Sequence, residues 1–176
     1  MDTIKTIRSR RAAKEFSSSP VYEETLLNLV DLARYSPSGG NKNSWQFVVI
    51  TSRKNLDRLS ETHPHCRWFS SAQAGIAIVI DPESTRYWLE DCAVAAYTIW
   101  LGATSLGLAT AWAAMHQADN EAESERRQHF VRETLSIPEK LYVPVVLGIG
   151  SHKAPLPDKE RPPLDTLVSW ETYDKK

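Results

Sequence analysis

Apolar positions recur at a helical step in YEETLLNLVDLARY, residues 22–35, where Leu26, Leu29, Val30 and Ala33 share one face and Pro37 ends the pattern. The spacing predicts an amphipathic helix. WQFVVIT at 45–51 and GIAIVI at 75–80 are short runs rich in β-branched and aromatic residues, which predicts two buried strands. YVPVVLGIG at 142–150 predicts a third, with Pro144 placing it at an edge or at a bulge because proline brings no N–H to a ladder. Residues 87–106, YWLEDCAVAAYTIWLGATSL, are apolar almost all round. That predicts a spine helix buried on more than one side, suited to a subunit interface. DNEAESERRQHFVRETL at 119–135 reads as a charged, solvated helix with Phe130, Val131 and Leu135 turned inward. From residue 151 the chain carries Pro155, Pro157, Pro162 and Pro163 before LDTLVSW, so it is expected to run extended over the surface to a final helical turn, as an arm that grips a partner subunit. No internal repeat is present. Helices mixed with a few strands make the fold class α+β.

At 176 residues the chain suits one domain with a full core, here a core over about 4–150 and an arm over about 151–176. Lys plus Arg at 21 almost balance Asp plus Glu at 22, so no global field recruits nucleic acid or an anionic membrane. The N-terminus, MDTIKTIRSRRAAKEF, has no apolar segment of signal length and no later run is long enough to span a bilayer, so the chain reads as cytoplasmic. Cys66 and Cys92 lie far apart in different contexts and are read as reduced thiols.

Three local clusters carry candidate chemistry. RSRRAAK at 8–14 gathers Arg8, Arg10, Arg11 and Lys14. Such a run suits a solvated helix end, and it also suits a phosphate, which guanidinium groups hold in a bidentate way. PSGGNKNSW at 37–45 combines turn-forming residues with the donors and acceptors of Ser38, Asn41 and Asn43. Gly39 and Gly40 let its backbone approach a flat ligand, and a planar heterocycle with carbonyl and ring-nitrogen edges would use all of these groups. PDKERPP at 157–163 alternates Lys159 and Arg161 on an extended backbone, where residues two apart share a side and can face one anion. HPHC at 63–66 offers His63, His65 and Cys66 to a metal, but ligands so close together rarely wrap one ion and no second cluster completes the set, so no metal is assigned.

The order of these clusters resembles the nitroreductase family of FMN-dependent oxidoreductases over about residues 4–172. The family's N-terminal motif, arginine, any residue, serine, any residue, then arginine or lysine, is similar to Arg10, Arg11, Ala12, Ala13 and Lys14, with Ala12 at the serine position. The family's P-S-x-x-N-x-Q-P-W pattern is matched by Pro37, Ser38, Asn41 and Trp45, with Asn43 at the glutamine and Ser44 at the proline. Asparagine keeps the amide but is one methylene shorter. The resemblance implies a central, mostly antiparallel sheet flanked by helices, and a homodimer in which this polar loop serves the partner's active site. It implies that Arg10, Arg11, Ala12 and Lys14 meet the FMN phosphate, ribityl chain or pyrimidine edge, and that Lys159 and Arg161 close on the phosphate. Asp91 resembles the aspartate ahead of the family's spine helix. SLGLATAWAAM at 105–115 resembles the strand and turn facing the isoalloxazine, with Ala113, Ala114 and Met115 near the flavin N5 and only backbone N–H groups to act at the alanines.

The implied activity is hydride transfer from NADH or NADPH through flavin N5 to a small planar acceptor such as a nitroaromatic or quinone, in ping-pong fashion, with no protein nucleophile. The alternative is a family member that binds FMN without NAD(P)H turnover, as a flavin carrier or in dehalogenating or flavin-fragmenting chemistry. No G-x-G-x-x-G turn follows a strand, so a separate nicotinamide site of Rossmann type is not expected. Trp68, Phe69, Trp112 and Met115 are the candidates to line an open acceptor slot.

Overall fold

Two apolar faces have to be covered, and the chain covers them by placing helices on both sides of one sheet. The computed structural model describes residues 2–155 and 157–173, so positions 1, 156 and 174–176 of the expected single domain and its arm lie outside the described residues. The elements are α1 (Thr3–Ser9), α2 (Glu23–Ala33), β1 (Trp45–Ile50), α3 (Arg53–Ser60), β2 (Ala74–Ile80), α4 (Trp88–Ser105), β3 (Leu108–Ala114), α5 (Glu121–Leu135) and β4 (Tyr142–Ser151). The sheet order is β1-β2-β4-β3, and every neighbouring pair is antiparallel. This α+β architecture is the one expected.

β2 and β4 occupy the middle and are buried on both faces, which is why their sequences are continuous apolar runs rather than alternations. On one face α2 and α4 pack Leu26, Leu29, Cys92, Ala95, Ala96 and Ile99 against Ile76, Ile78, Val145 and Leu147. On the other, α3, α5 and a 3-10 turn over Pro64–Ser70 set Leu56, Leu59, Phe69 and Val131 against Ala77, Ala111 and Val146.

Pro144 lies in a central strand, not at an edge. The sheet accommodates it by a register shift between Ile78 and Ile80 of β2, so the missing N–H falls at a bulge. Its carbonyl still accepts from the Met115 N–H at 2.9 Å. α4 also differs from expectation: Val94 and Tyr97 are exposed, so a single chain covers only one side of the spine. The described part of the tail, beyond β4, makes one 3-10 turn at Leu164–Thr166 and leaves Leu164, Leu167, Trp170 and Tyr173 in solvent.

Candidate functional site

β3 is an edge strand, and its outer edge is where the chemistry can gather. Met115 donates inward to Pro144, while the Thr110 carbonyl accepts from the Ala13 N–H at 2.9 Å on the far side. Alternation along an antiparallel ladder then turns the N–H and C=O of Trp112 and Ala114 outward as well. Ala12 continues the sheet by a parallel bridge to Thr110, and Phe16 makes an antiparallel bridge to His152.

Beside this edge lies a cavity of about 390 Å³ lined by Ala12, Lys14, His65, Arg67, Trp68 and Trp112, among others. Lys14 and Arg67 make no ion pair among the described residues. Trp68 lies flat enough against β4 that a Cβ on Gly148 would come within 2.2 Å of its ring. Two free cations, an aromatic wall and outward amides suit a planar, anionic ligand such as a flavin mononucleotide. Phe69 and Met115, by contrast, are fully buried and do not line this cavity. Of the three residues placed near the flavin N5, Ala114 alone faces outward: Ala113 belongs to the inward set, and the Met115 carbonyl is taken by Gln128 at 3.1 Å.

The basic N-terminal residues divide. The Arg10 guanidinium stacks on the Trp100 indole, 4.4 Å from its centroid. Arg11 donates to the Arg8 and Arg10 carbonyls at 2.7 and 3.0 Å and pairs with Asp158 at 2.7 Å, so it fastens the start of the chain to its tail. A larger cleft, about 900 Å³, opens there between α1 and the residues after β4. Its charges are partly spent on the Arg11–Asp158 pair and on Lys153–Glu15, which lowers the Glu15 pKa, so the β3 edge is the better candidate. Lys159 and Arg161 are exposed and line neither cavity; Arg161 donates to the Lys159 carbonyl at 2.7 Å.

The polar loop, Pro37 to Ser44, sits elsewhere. Ser38 Oγ donates to Asn43 Oδ1 at 3.1 Å and accepts from the Asn43 N–H at 3.0 Å, while Asn43 Nδ2 reaches the Asn41 carbonyl at 3.3 Å. Gly40, Asn41 and Asn43 take positive φ of 58, 54 and 49°, which glycine and asparagine tolerate best. The flat group that approaches Gly39 is the Tyr87 ring, against which any Cβ would collide at 2.2 Å. Asp91 lies inside the first turn of α4 rather than ahead of it, and its Oδ1 accepts from the Gly39 N–H at 2.8 Å. The loop thus precedes β1, on the sheet edge opposite β3.

His63 and Cys66 form a buried pair, Nε2 to Sγ 2.8 Å, and His63 Nδ1 accepts from the His65 N–H at 3.3 Å. Burial, then the positive Arg127, hold the His63 pKa down to about 4, and burial pushes the Cys66 thiol up to about 12. No group of three His, Cys, Asp or Glu among the described residues is arranged to hold a metal ion. Arg67 is the lining residue that sequence reasoning passed over. Its signal was faint: one cation beside a tryptophan in a proline-started turn.

Comparison with known proteins adds ancestry to this geometry. The family model described as the nitroreductase family matches residues 7–75 and 62–151. An Archaeoglobus fulgidus protein assigned by name to the NADH dehydrogenase/NAD(P)H nitroreductases is 30% identical over 156 residues, 86% of each chain. The fold superposes on a Bacteroides thetaiotaomicron protein of the same assignment with a TM-score of 0.89 at 24% identity, covering 97% of this chain and 98% of that one. An FMN-dependent nitroreductase from Clostridium difficile gives a TM-score of 0.85 at 25% identity, covering 97% and 99%.

Proposed function

The chain belongs to the nitroreductase family, and on that premise we propose that it is an NAD(P)H-dependent FMN oxidoreductase that reduces a small planar acceptor such as a nitroaromatic or a quinone. The observation that carries the reading is the cavity along the β3 edge, where Lys14, Arg67 and the outward Trp112 of β3 surround an aromatic-walled slot. FMN, when bound, supplies the redox chemistry, taking a hydride from NAD(P)H and passing it on.

What the protein supplies is binding and orientation. Lys14 and Arg67 offset the charge of an anionic ligand, and the outward N–H groups of Trp112 and Ala114 donate to the carbonyl and ring-nitrogen edge of a heterocycle. Trp68 and Trp112 form the walls against which an acceptor stacks. Arg10, Lys159 and Arg161 provide the phosphate contacts in this reading, each held in the single chain only by a ring face, a carbonyl or solvent.

The reading includes a homodimer with shared sites. β1 and β3 are separated by three strand spacings, about 14 Å, so the polar loop of one chain does not reach its own β3 cavity. A second copy can bring it there. Exposed Ile4 and Ile7 on α1, Val94 and Tyr97 on α4, and Trp170 in the tail give that copy an apolar surface to cover. No helix among the described residues is long and apolar enough to cross a membrane.

Absorbance in the flavin bands, followed by anaerobic titration with NADH and NADPH, tests the reading. A yellow protein bleached by either nicotinamide is expected. A yellow protein that neither one bleaches points to FMN binding without turnover, and a colourless protein that takes up no FMN ends the flavin reading.

A further inference from the structure

We propose that Arg127, which the flavin reading does not use, is a positioning residue that pins the end of β3 and so holds in place the outward edge whose Trp112, two residues before the pinned Ala114, lines the cofactor cavity. This inference rests on that reading for its ligand, and on the geometry of the strand end for its mechanism.

The end of an edge strand is bonded on one side only, so it frays unless something holds it. Here two consecutive residues of α5 grip it from both sides. Gln128, turned inward and fully buried, donates from Nε2 to the Met115 carbonyl at 3.1 Å and the Val143 carbonyl at 2.8 Å, and its Oε1 accepts from the Val143 N–H at 2.9 Å. Arg127 turns to the outer side and donates from Nη1 to the Ala114 carbonyl at 2.8 Å. With the Met115 N–H held by Pro144, the peptide after Ala114 is fixed at both its polar atoms. The one backbone donor left for a ligand at this residue is its N–H.

Arg127 is itself held in place. Its Nε donates to Glu123 Oε1 at 2.7 Å and its Nη2 to Gln117 Oε1 at 3.1 Å, and its side chain is only 13% exposed. Three separate partners in one planar fork are a task for arginine, which lysine cannot reproduce. Its charge, after burial, also helps lower the pKa of His63, two residues from the lining His65. An arginine present only to pair with Glu123 would have no need of the Ala114 carbonyl. Arg126 is the natural control: it pairs with the same Glu123 and donates to the Thr62 carbonyl at 2.6 Å, and among the described residues it makes no hydrogen bond to β3.

The experiment compares the full chain with R127A, R127K and R126A by fluorescence titration with FMN and by amide hydrogen exchange over residues 112–116, with and without FMN. R127A is expected to raise the FMN dissociation constant roughly ten-fold, the scale of one lost ordering contact, and to speed exchange at Ala114 even without FMN. R127K is expected to match R127A. R126A is expected to lower Tm while leaving the dissociation constant and the exchange of 112–116 at wild-type values. Wild-type FMN binding by R127A or R127K overturns the inference, and so does an R126A variant with the same losses. If the wild-type chain takes up no FMN, the flavin reading fails by itself; the strand clamp then stands or falls on whether R127A speeds exchange at Ala114.

Discussion

Thr110 has a buried hydroxyl with no partner, and it sits across a sheet bridge from Ala12. Residues bridged in this way present their side chains on the same side, so a hydroxyl at position 12 would meet the Thr110 oxygen. Ala12→Ser is therefore expected to stabilise the protein by at most about 1 kcal/mol, the net worth of one hydrogen bond, and to tighten FMN binding; a thermal melt and a flavin titration check both. His63 makes a prediction of opposite character. Its folded pKa, about 4, lies below the unfolded value of 6.5, so as pH falls below 6.5 the unfolded chain takes up a proton that the folded chain refuses. Stability is then lost progressively from pH 6.5 down to pH 4, by up to about 3 kcal/mol for a shift of this size. The groups that set this response are Cys66, His65, Arg127, Arg126 and Glu123. Urea unfolding of the wild type and of His63→Asn between pH 7 and pH 4 is expected to show a steep acid loss in the first and a shallower one in the second.

At the scale of elements, the loop ahead of β1 depends on one close approach. A methyl at residue 39 meets Tyr87 Cδ2, Cγ and Cβ at 2.2, 2.8 and 3.0 Å, too near the ring's root for a simple rotation to relieve it. Gly39→Ala must shift the turn, and with it the N–H that satisfies buried Asp91, whose Oδ2 already has no partner. A loss of roughly 1–3 kcal/mol is expected, recovered in part by adding Tyr87→Ala; a double-mutant cycle in urea measures the coupling. The same elements show what a sequence can disclose. Helix periodicity found α2, α4 and α5, and apolar runs found β1, β2 and β4, each within about two residues, because those elements bury long faces. α1 and α3 escaped because they are short and mostly polar, α3 having only Leu56 and Leu59 to bury. β3, with LATAWAA, is too rich in alanine to show a strand alternation and was legible only through the family resemblance. The candidate site was half legible for a related reason. Lys14 stands out in a basic run, but its partner Arg67 joins it through a non-sequential strand order that puts β3 outside β4. The proline in β4 likewise reads as an edge signal until the register shift shows how a central strand absorbs it.

The whole molecule poses a problem that one chain does not solve. Lys14 and Arg67 lie at the β3 edge, the amide-rich loop lies before β1, and the sheet stands between them. Apolar side chains that a monomer would hide remain exposed on α1, α4 and the tail, with Trp170 at 84% exposure. The two-fold pair proposed above, in which each loop completes the other chain's cavity, would resolve both facts. Complementation tests it directly. Lys14→Ala removes a cation from the cavity, and Asn43→Ala removes a side chain from the loop, so each homodimer carries two defective sites. In a mixed pair, one site combines both defects and the other combines neither. Random exchange makes about half the molecules mixed pairs, so activity and stoichiometric FMN uptake are expected to return to about one quarter of wild type on mixing the unfolded chains and refolding them together. Sedimentation of differently tagged chains confirms that the mixed pairs form. If they form and nothing returns, the loop does not complete the other chain's cavity.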